Sequence, residues 1–205
     1  MSEVPNQSDL ANPRFPKLEV TLPAWVESFL PPVDHLYRSD EERMDLAINL
    51  ARKNIEQGTG GPFGAAVFDL DSQTLLAPGV NVVVSTKWSG GHAEMVAFAM
   101  AQQLVGSHDL GGEQHRRYEI VTSCEPCSMC FGATPWSGVK RLVCGATEAD
   151  ARAIGFDEGP KPENWIEALH SRGIEVIEGV RRAEAAQVLR DYATTGGHIY
   201  NGRGG

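Results

Sequence analysis

The chain has 205 residues, 41% of them hydrophobic, enough for one globular domain with a substantial core. Its formal net charge is -9, and its basic clusters are short, so a positive footprint for nucleic acid is missing from the sequence. No stretch approaches the roughly 18 apolar residues of a membrane span, and no basic segment followed by an apolar core opens the chain, so the expected location is cytoplasmic.

Residues 1–38 are rich in proline ("NPRFPK", "TLPAW", "FLPPVDH"), which predicts an arm without a long element. Trp25, Phe29 and Leu30 are apolar enough to dock it on the domain or on a neighbouring subunit. The domain proper is expected over 39–205. Met44, Ala47, Ile48, Ala51 and Ile55 follow helical spacing, with Ser39 or Asp40 as cap and Gly58 as stop. "AAVFDL" and "TLLAPGVNVVVS" read as antiparallel strands joined at "DLDSQ". "HAEMVAFAMAQQL" is apolar almost all round and predicts a buried helix. "YEIVTS" is a predicted strand, and "PCSMCFGATPW" opens a helix with Pro126 at its first position. Then come a strand ("VKRLVCGAT"), a helix ("ENWIEALHSRG"), a strand ("IEVIEGV") and a last helix ("RRAEAAQVLRDYATT") ended by Gly196 and Gly197. That order predicts an α/β fold, a three-layer α/β/α domain with its sheet covered on both faces.

The chemistry concentrates in "CEPCSMC" (124–130) and "GGHAEM" (90–95). Tight C-x-x-C spacing in a chain of this kind reads as a metal or redox site, not a disulfide. Cys127 and Cys130, three apart at the start of a helix, lie on one face and can grip one ion. Glu94 on a largely apolar helix is costly unless it is paired or working. H-x-E followed by P-C-x-x-C is the zinc deaminase signature, and both halves are present. His92, Cys127 and Cys130 make three Zn²⁺ ligands and leave the fourth position to water, which distinguishes a catalytic zinc from a structural one. Glu94, not a ligand, then moves protons in the hydrolytic loss of ammonia from an amidine-like ring carbon. Three other readings stay open. A dithiol redox centre leaves His92 and Glu94 without a purpose. A structural zinc would take Cys124 as its fourth ligand. In a non-catalytic zinc module, Glu94 would only support the ligands. With three ligands Cys124 is a spectator, and Cys144 is a small buried hydrophobe.

Beyond these motifs the sequence carries "GGPFGAAV" (60–67), "GVN" (79–81), "TSCEPCSMCFGATPWSG" (122–138), "AIGFDEGPKPENW" (153–165) and "IYNG" (199–202). Over residues 40–202 it thereby resembles the cytidine deaminase-like superfamily of zinc deaminases, and more closely its guanine deaminase branch, some of whose members also accept ammeline. The resemblance implies a five-stranded mixed sheet between helices, a homodimer, and one Zn²⁺ with a bound water per subunit. It implies a free heterocyclic base as substrate, guanine going to xanthine and ammonia, with guanosine or cytosine as alternatives. Position by position it makes His92, Cys127 and Cys130 the zinc ligands and Glu94 the proton shuttle. Phe63 would stack on the base, Asn81 would hydrogen-bond a ring edge, and Trp136 would line the pocket. Asp157 or Glu158 would supply a second carboxylate, for recognition or for a second proton transfer. The residues of the tail "TTGGHIYNGRGG" leave two readings open, a lid over its own pocket or a partner's and an ordinary frayed terminus. A tRNA adenosine deaminase shares the zinc motifs, but it must grip a polyanion, which the -9 charge opposes.

Overall fold

The computed structural model describes residues 15–112 and 116–201. Along the chain, α1 (Trp25–Phe29) precedes α2 (Asp40–Glu56), β1 (Gly64–Asp69), β2 (Thr74–Val80), α3 (Val83–Thr86), α4 (Ala93–Val105) and β3 (Tyr118–Cys124). Then follow α5 (Ser128–Ser137), β4 (Arg141–Ala146), α6 (Glu148–Ala153), α7 (Trp165–His170), β5 (Glu175–Ile177) and α8 (Arg182–Thr194). The strands form one sheet in the order β2-β1-β3-β4-β5. β1 runs antiparallel to both β2 and β3, whereas β3, β4 and β5 are parallel. The start of β1 and the ends of β2, β3 and β4 therefore meet at one edge of the sheet.

Both faces of the sheet are covered, so its strands alternate between two cores instead of between core and water. Ala66 and Phe68 of β1 join Val121 and Val143 against α2 and α8, whereas Ala65 and Val67 join Ile120 and Leu142 against α4 and α7. Burying a side chain such as Phe68 or Leu50 completely contributes roughly 1.5–3 kcal/mol. A Cβ on Gly64 would lie 2.3 Å from the Ala47 carbonyl oxygen, so α2 approaches β1 this closely only over glycine.

The α2 helix starts where its sequence indicates, with the Ser39 hydroxyl accepting from Glu42 N at 3.2 Å and Asp40, Glu41 and Glu42 in the first turn. An ion cluster fixes this end to the sheet. Fully buried Glu119 pairs with Arg43 Nε at 2.5 Å and Arg141 Nη1 at 2.6 Å, and Arg141 Nη2 reaches Asp40 at 2.6 Å. The hydrogen bond from Arg141 leads in holding Asp40 down to about 2. The described part of the arm docks on this domain: Val26 is buried, and Trp25, Phe29 and Leu30 pack on the α2 side of the core.

Four local expectations need correction. The second strand stops at Val80 instead of running to Ser85, because the chain turns at Asn81 and the Asn81 side chain and Val82 carbonyl accept the N–H groups of Val83 and Thr86. The cysteine helix begins at Ser128 with Cys127 as its N-cap, so Pro126 lies before the cap and not at the first helical position. The α4 helix is not buried all round, since Leu104 near its end is 68% exposed. Finally, α6 was not anticipated, although Thr147 and Asp150 form a capping box whose T-x-x-D spacing is visible in "TEAD".

Candidate active site

The shared edge of the sheet gathers the chemical residues. Phe63 precedes β1, Asn81 follows β2, Cys124 ends β3, and α4 and α5 both begin there. His92 and Cys127 are the N-caps of these two helices, and Cys130 lies one turn into α5. Metal-binding atoms of His92, Cys127 and Cys130 all fall within 4.8 Å of one another, with Cys127 Sγ 3.5 Å from His92 Nδ1. One imidazole and two thiols at that spacing suit a tetrahedral zinc with an open position. The hydrogen bond from Cys130 leads in holding the Cys127 thiol down to about 4, against burial and with help from His92, while the same bond raises Cys130.

Cys124 stays outside the cluster. It is 2% exposed, pairs across the sheet with Ala146, and its Sγ lies 3.6 Å from the Thr147 carbonyl oxygen. Cys144 is fully buried in the α4-side core.

A cavity of about 330 Å³ opens beside the cluster and is lined by Phe63, Asn81, His92, Glu94, Glu158 and Tyr200 among others. Glu94 is 7% exposed, and burial, then the neighbouring Cys127, pushes its carboxyl up to about 7. Glu158 is 6% exposed and is pushed up to about 8 by burial, then by Cys127 and Glu94. Two carboxyls that each resist ionisation thus face one small cavity. Asp157 also lines it but is exposed, with its carboxylate accepting from Gly159 N at 2.9 Å and 3.7 Å from Arg152.

The loop carrying Glu158 is tied to the cysteine turn twice. The Glu158 carbonyl accepts from Ser128 N at 2.9 Å. Lys161, its side chain 2% exposed, places Nζ 3.0 Å from Glu148, 3.4 Å from Glu125 and 3.2 Å from the Pro126 carbonyl, over the Trp165 ring at 4.4 Å.

Trp136 is not in the cavity. Cys130, Thr134 and Ser137 form the buried face of α5, and Trp136 points off that face with 83% exposure. Phe156, which sequence reasoning did not place, is there instead, beside Tyr200 of the tail. Phe156 meets Phe63 edge-on at 4.9 Å, and Tyr200 meets Phe156 edge-on at 5.4 Å. Phe156 sits beside the acidic pair in "GFDEGP", which was its only local signal. Tyr200 belongs to the tail, which returns to its own chain. Asn81 Nδ2 donates to the Tyr200 hydroxyl, and Asn201 accepts from Asp157 N at 2.9 Å and donates to the Gly155 carbonyl at 3.1 Å. Residues 202–205 of the tail lie outside the described residues.

This fold and this donor set define a class, the zinc-dependent deaminases, in which a His and two Cys surround the metal and a neighbouring Glu carries protons. Residues 37–146 match the cytidine and deoxycytidylate deaminase zinc-binding region, and the chain belongs to that family. It is 35% identical over 112 residues to the guanine deaminase of Bacillus subtilis strain 168, across 55% of this chain and 67% of that one. The solved guanine deaminase from Nitrosomonas europaea is 44% identical, with a TM-score of 0.82 over 87% of this chain and 97% of that one. A structure in complex with 2,6-diaminopurine is 46% identical, with a TM-score of 0.83 over 90% of this chain and 97% of that one. No helix among the described residues is long and apolar enough to cross a membrane.

Proposed function

We propose that the protein converts guanine and water to xanthine and ammonia. The observation that carries this reading is the pair of buried carboxyls, Glu94 and Glu158, facing one cavity beside the His92–Cys127–Cys130 cluster. A guanine ring presents several N–H donors, which a carboxylate accepts two at a time, and a cytosine-type edge makes no such demand. The similarity to guanine deaminases of two bacteria supports the same substrate.

His92, Cys127 and Cys130 would hold one Zn²⁺, which when bound supplies the Lewis acidity that makes hydrolysis feasible at neutral pH. The protein's own groups do the rest. Glu94 takes one proton from water and gives it to the ring nitrogen as the C–O bond forms; the proton left on the added hydroxyl then passes to the departing amine as the C–N bond breaks. A carboxyl near 7 both accepts and releases a proton at neutral pH. Glu158 recognises the amine edge and carries the second proton, and exposed Asp157 takes a recognition role at the rim. Phe63, braced by Phe156, stacks on the base. Asn81 Oδ1 accepts from Gly61 N at 3.4 Å and Val83 N at 3.3 Å, which leaves Nδ2 as a donor for a ring oxygen or nitrogen.

The test is ammonia release from guanine, guanosine, adenine, cytosine, cytidine and ammeline at equal concentration. Guanine is expected to be turned over fastest. Turnover of a pyrimidine with guanine and ammeline both inert would overturn the assignment of Asn81 and Glu158. Metal analysis of cysteine variants checks the ligand set. Cys130→Ser is expected to lose most of the bound zinc, whereas Cys124→Ser keeps it, because only Cys130 belongs to the cluster.

In the same reading the tail covers the cavity of its own chain, with the Tyr200 hydroxyl closing on Asn81. Deleting residues 197–205 is expected to raise KM for guanine by about tenfold, and an unchanged kcat/KM removes the cover from the account. The protein is also proposed to act as a homodimer. The support is exposed apolar surface on the two helices that carry the cluster, with Trp136 83%, Leu104 68% and Met129 38% exposed. Light scattering that gives a monomer mass would refute it.

A further inference from the structure

The described arm reaches Asn81, which lines the cavity, through a chain of hydrogen bonds. Trp25 Nε1 in α1 donates to Thr59 Oγ1 at 3.0 Å, and an indole N–H can only donate. The Thr59 hydroxyl accepts there and donates to Asn54 Oδ1 at 2.6 Å, with the Asn54 carbonyl oxygen a longer second acceptor at 3.4 Å. With its oxygen so occupied, Asn54 turns its amide nitrogen the other way, donating to the carbonyls of Gly61 at 2.9 Å and Asn81 at 2.8 Å. Asn54 is fully buried, so no water can substitute for these partners.

The two carbonyls belong to the two segments that carry Phe63 and Asn81. They are drawn together so tightly that a Cβ on Gly60 would lie 1.7 Å from the Asn81 carbonyl oxygen. The same closeness lets Gly61 N and Val83 N hold Asn81 Oδ1 and turn its Nδ2 toward the Tyr200 hydroxyl, which also lines the cavity. Phe63, Asn81 and Val83 line the cavity; Trp25, Thr59 and Asn54 do not.

We propose that Asn54 is a positioning residue for Asn81, and that Trp25 and Thr59 set its orientation, so that the proline-rich arm takes part in base recognition. This rests on the reading of Asn81 as a base-binding residue. Asn54 holds the Asn81 backbone, Thr59 fixes which way the Asn54 amide faces, and the arm's indole fixes the Thr59 hydroxyl. Reversal of the Asn54 amide would set its oxygen against two carbonyl oxygens and open the gap between the segments.

The experiment measures kcat, KM and zinc content for guanine in the full-length, zinc-loaded protein. Thr59→Val, which keeps the shape and loses the hydroxyl, is expected to raise KM about tenfold with kcat nearly unchanged and full zinc content. Trp25→Phe keeps a ring in place and loses the N–H; it is expected to raise KM about threefold. Thr59→Ser, which keeps the hydroxyl, is expected to restore the wild-type KM. Asn54→Asp has no second donor for the two carbonyls and is expected to be affected at least as strongly as Thr59→Val. If that variant fails to fold, the Thr59→Val and Thr59→Ser pair decides the question. Wild-type KM in Thr59→Val and Trp25→Phe overturns the proposal. A lowered Tm with KM unmoved also overturns it, since that reports packing alone. Wild-type protein that releases ammonia from none of the bases overturns the functional reading beneath it, a different outcome from active protein with unaltered Thr59→Val kinetics.

Discussion

Replacing Glu94 by Gln is expected to leave zinc bound and to lower kcat on guanine by about a thousandfold or more, the range by which positioned acid–base groups accelerate proton transfer. The amide has nearly the shape of the carboxyl but cannot take a proton from water or return one. Glu94 lies two residues from His92 at the start of α4 and is absent from the ligand cluster, so its loss need not release the metal. Undiminished kcat with zinc bound would remove Glu94 from the proton transfers, whereas wild-type protein that binds zinc and releases no ammonia from any of the bases would support the non-catalytic module, in which Glu94 only steadies the ligands. Zinc analysis and ammonia release on the same sample separate the two.

Glu158→Gln is expected to trade activity for stability. The carboxyl is raised from 4.5 to about 8 in the folded chain, with burial the leading cause. Between those values the folded protein keeps a proton that the unfolded chain gives up. Folding therefore takes up a proton there, and the contribution of Glu158 to stability is whole below pH 4.5 and declines as pH rises to about 8. Gln has no such dependence. At pH 8 the metal-free variant is expected to gain on the order of 2 kcal/mol, a Tm rise of about 5 °C, and at pH 5 the gain nearly disappears. With zinc loaded, its kcat on guanine is expected to fall about a hundredfold, because the second proton has no carrier. Equal Tm changes at both pH values would show that Glu158 ionises freely and is not poised by its surroundings.

The same contrast between local chemistry and distant packing decides which parts of the site are legible in the chain itself. Cys127 and Cys130 are three residues apart at one helix start, so their pairing needs only local geometry. His92 lies 35 residues from Cys127 and is joined to the pair in the sequence by the H-x-E and P-C-x-x-C signature. Trp136 shows the limit of such reasoning. It sits in a motif with the ligands, yet one helical face can serve only one side, and the face holding Cys130 turns Trp136 outward. Pro126 shows a subtler limit. A proline suits the first helical turn, but the helix begins two residues later, with Cys127 at the cap where its sulfur reaches His92. The end of β2 was hidden because "NVVVS" has strand propensity, and hydrogen bonds to the Asn81 side chain and Val82 carbonyl override it.

From the sequence alone came the α/β class, the alternation that buries both faces of the sheet, the His92, Cys127 and Cys130 donor set and the proposal of Glu94 as the proton carrier. These follow from residue type, from short spacing and, for the joining of His92 to the two cysteines, from a recognised two-part signature. Tertiary structure alone decided that Glu158 is the buried member of the acidic pair, that Tyr200 returns to Asn81, and that Trp25 reaches Asn81 through Thr59 and Asn54. Those contacts join segments far apart in the chain, and no local propensity records which distant partner a hydrogen-bonding group will meet.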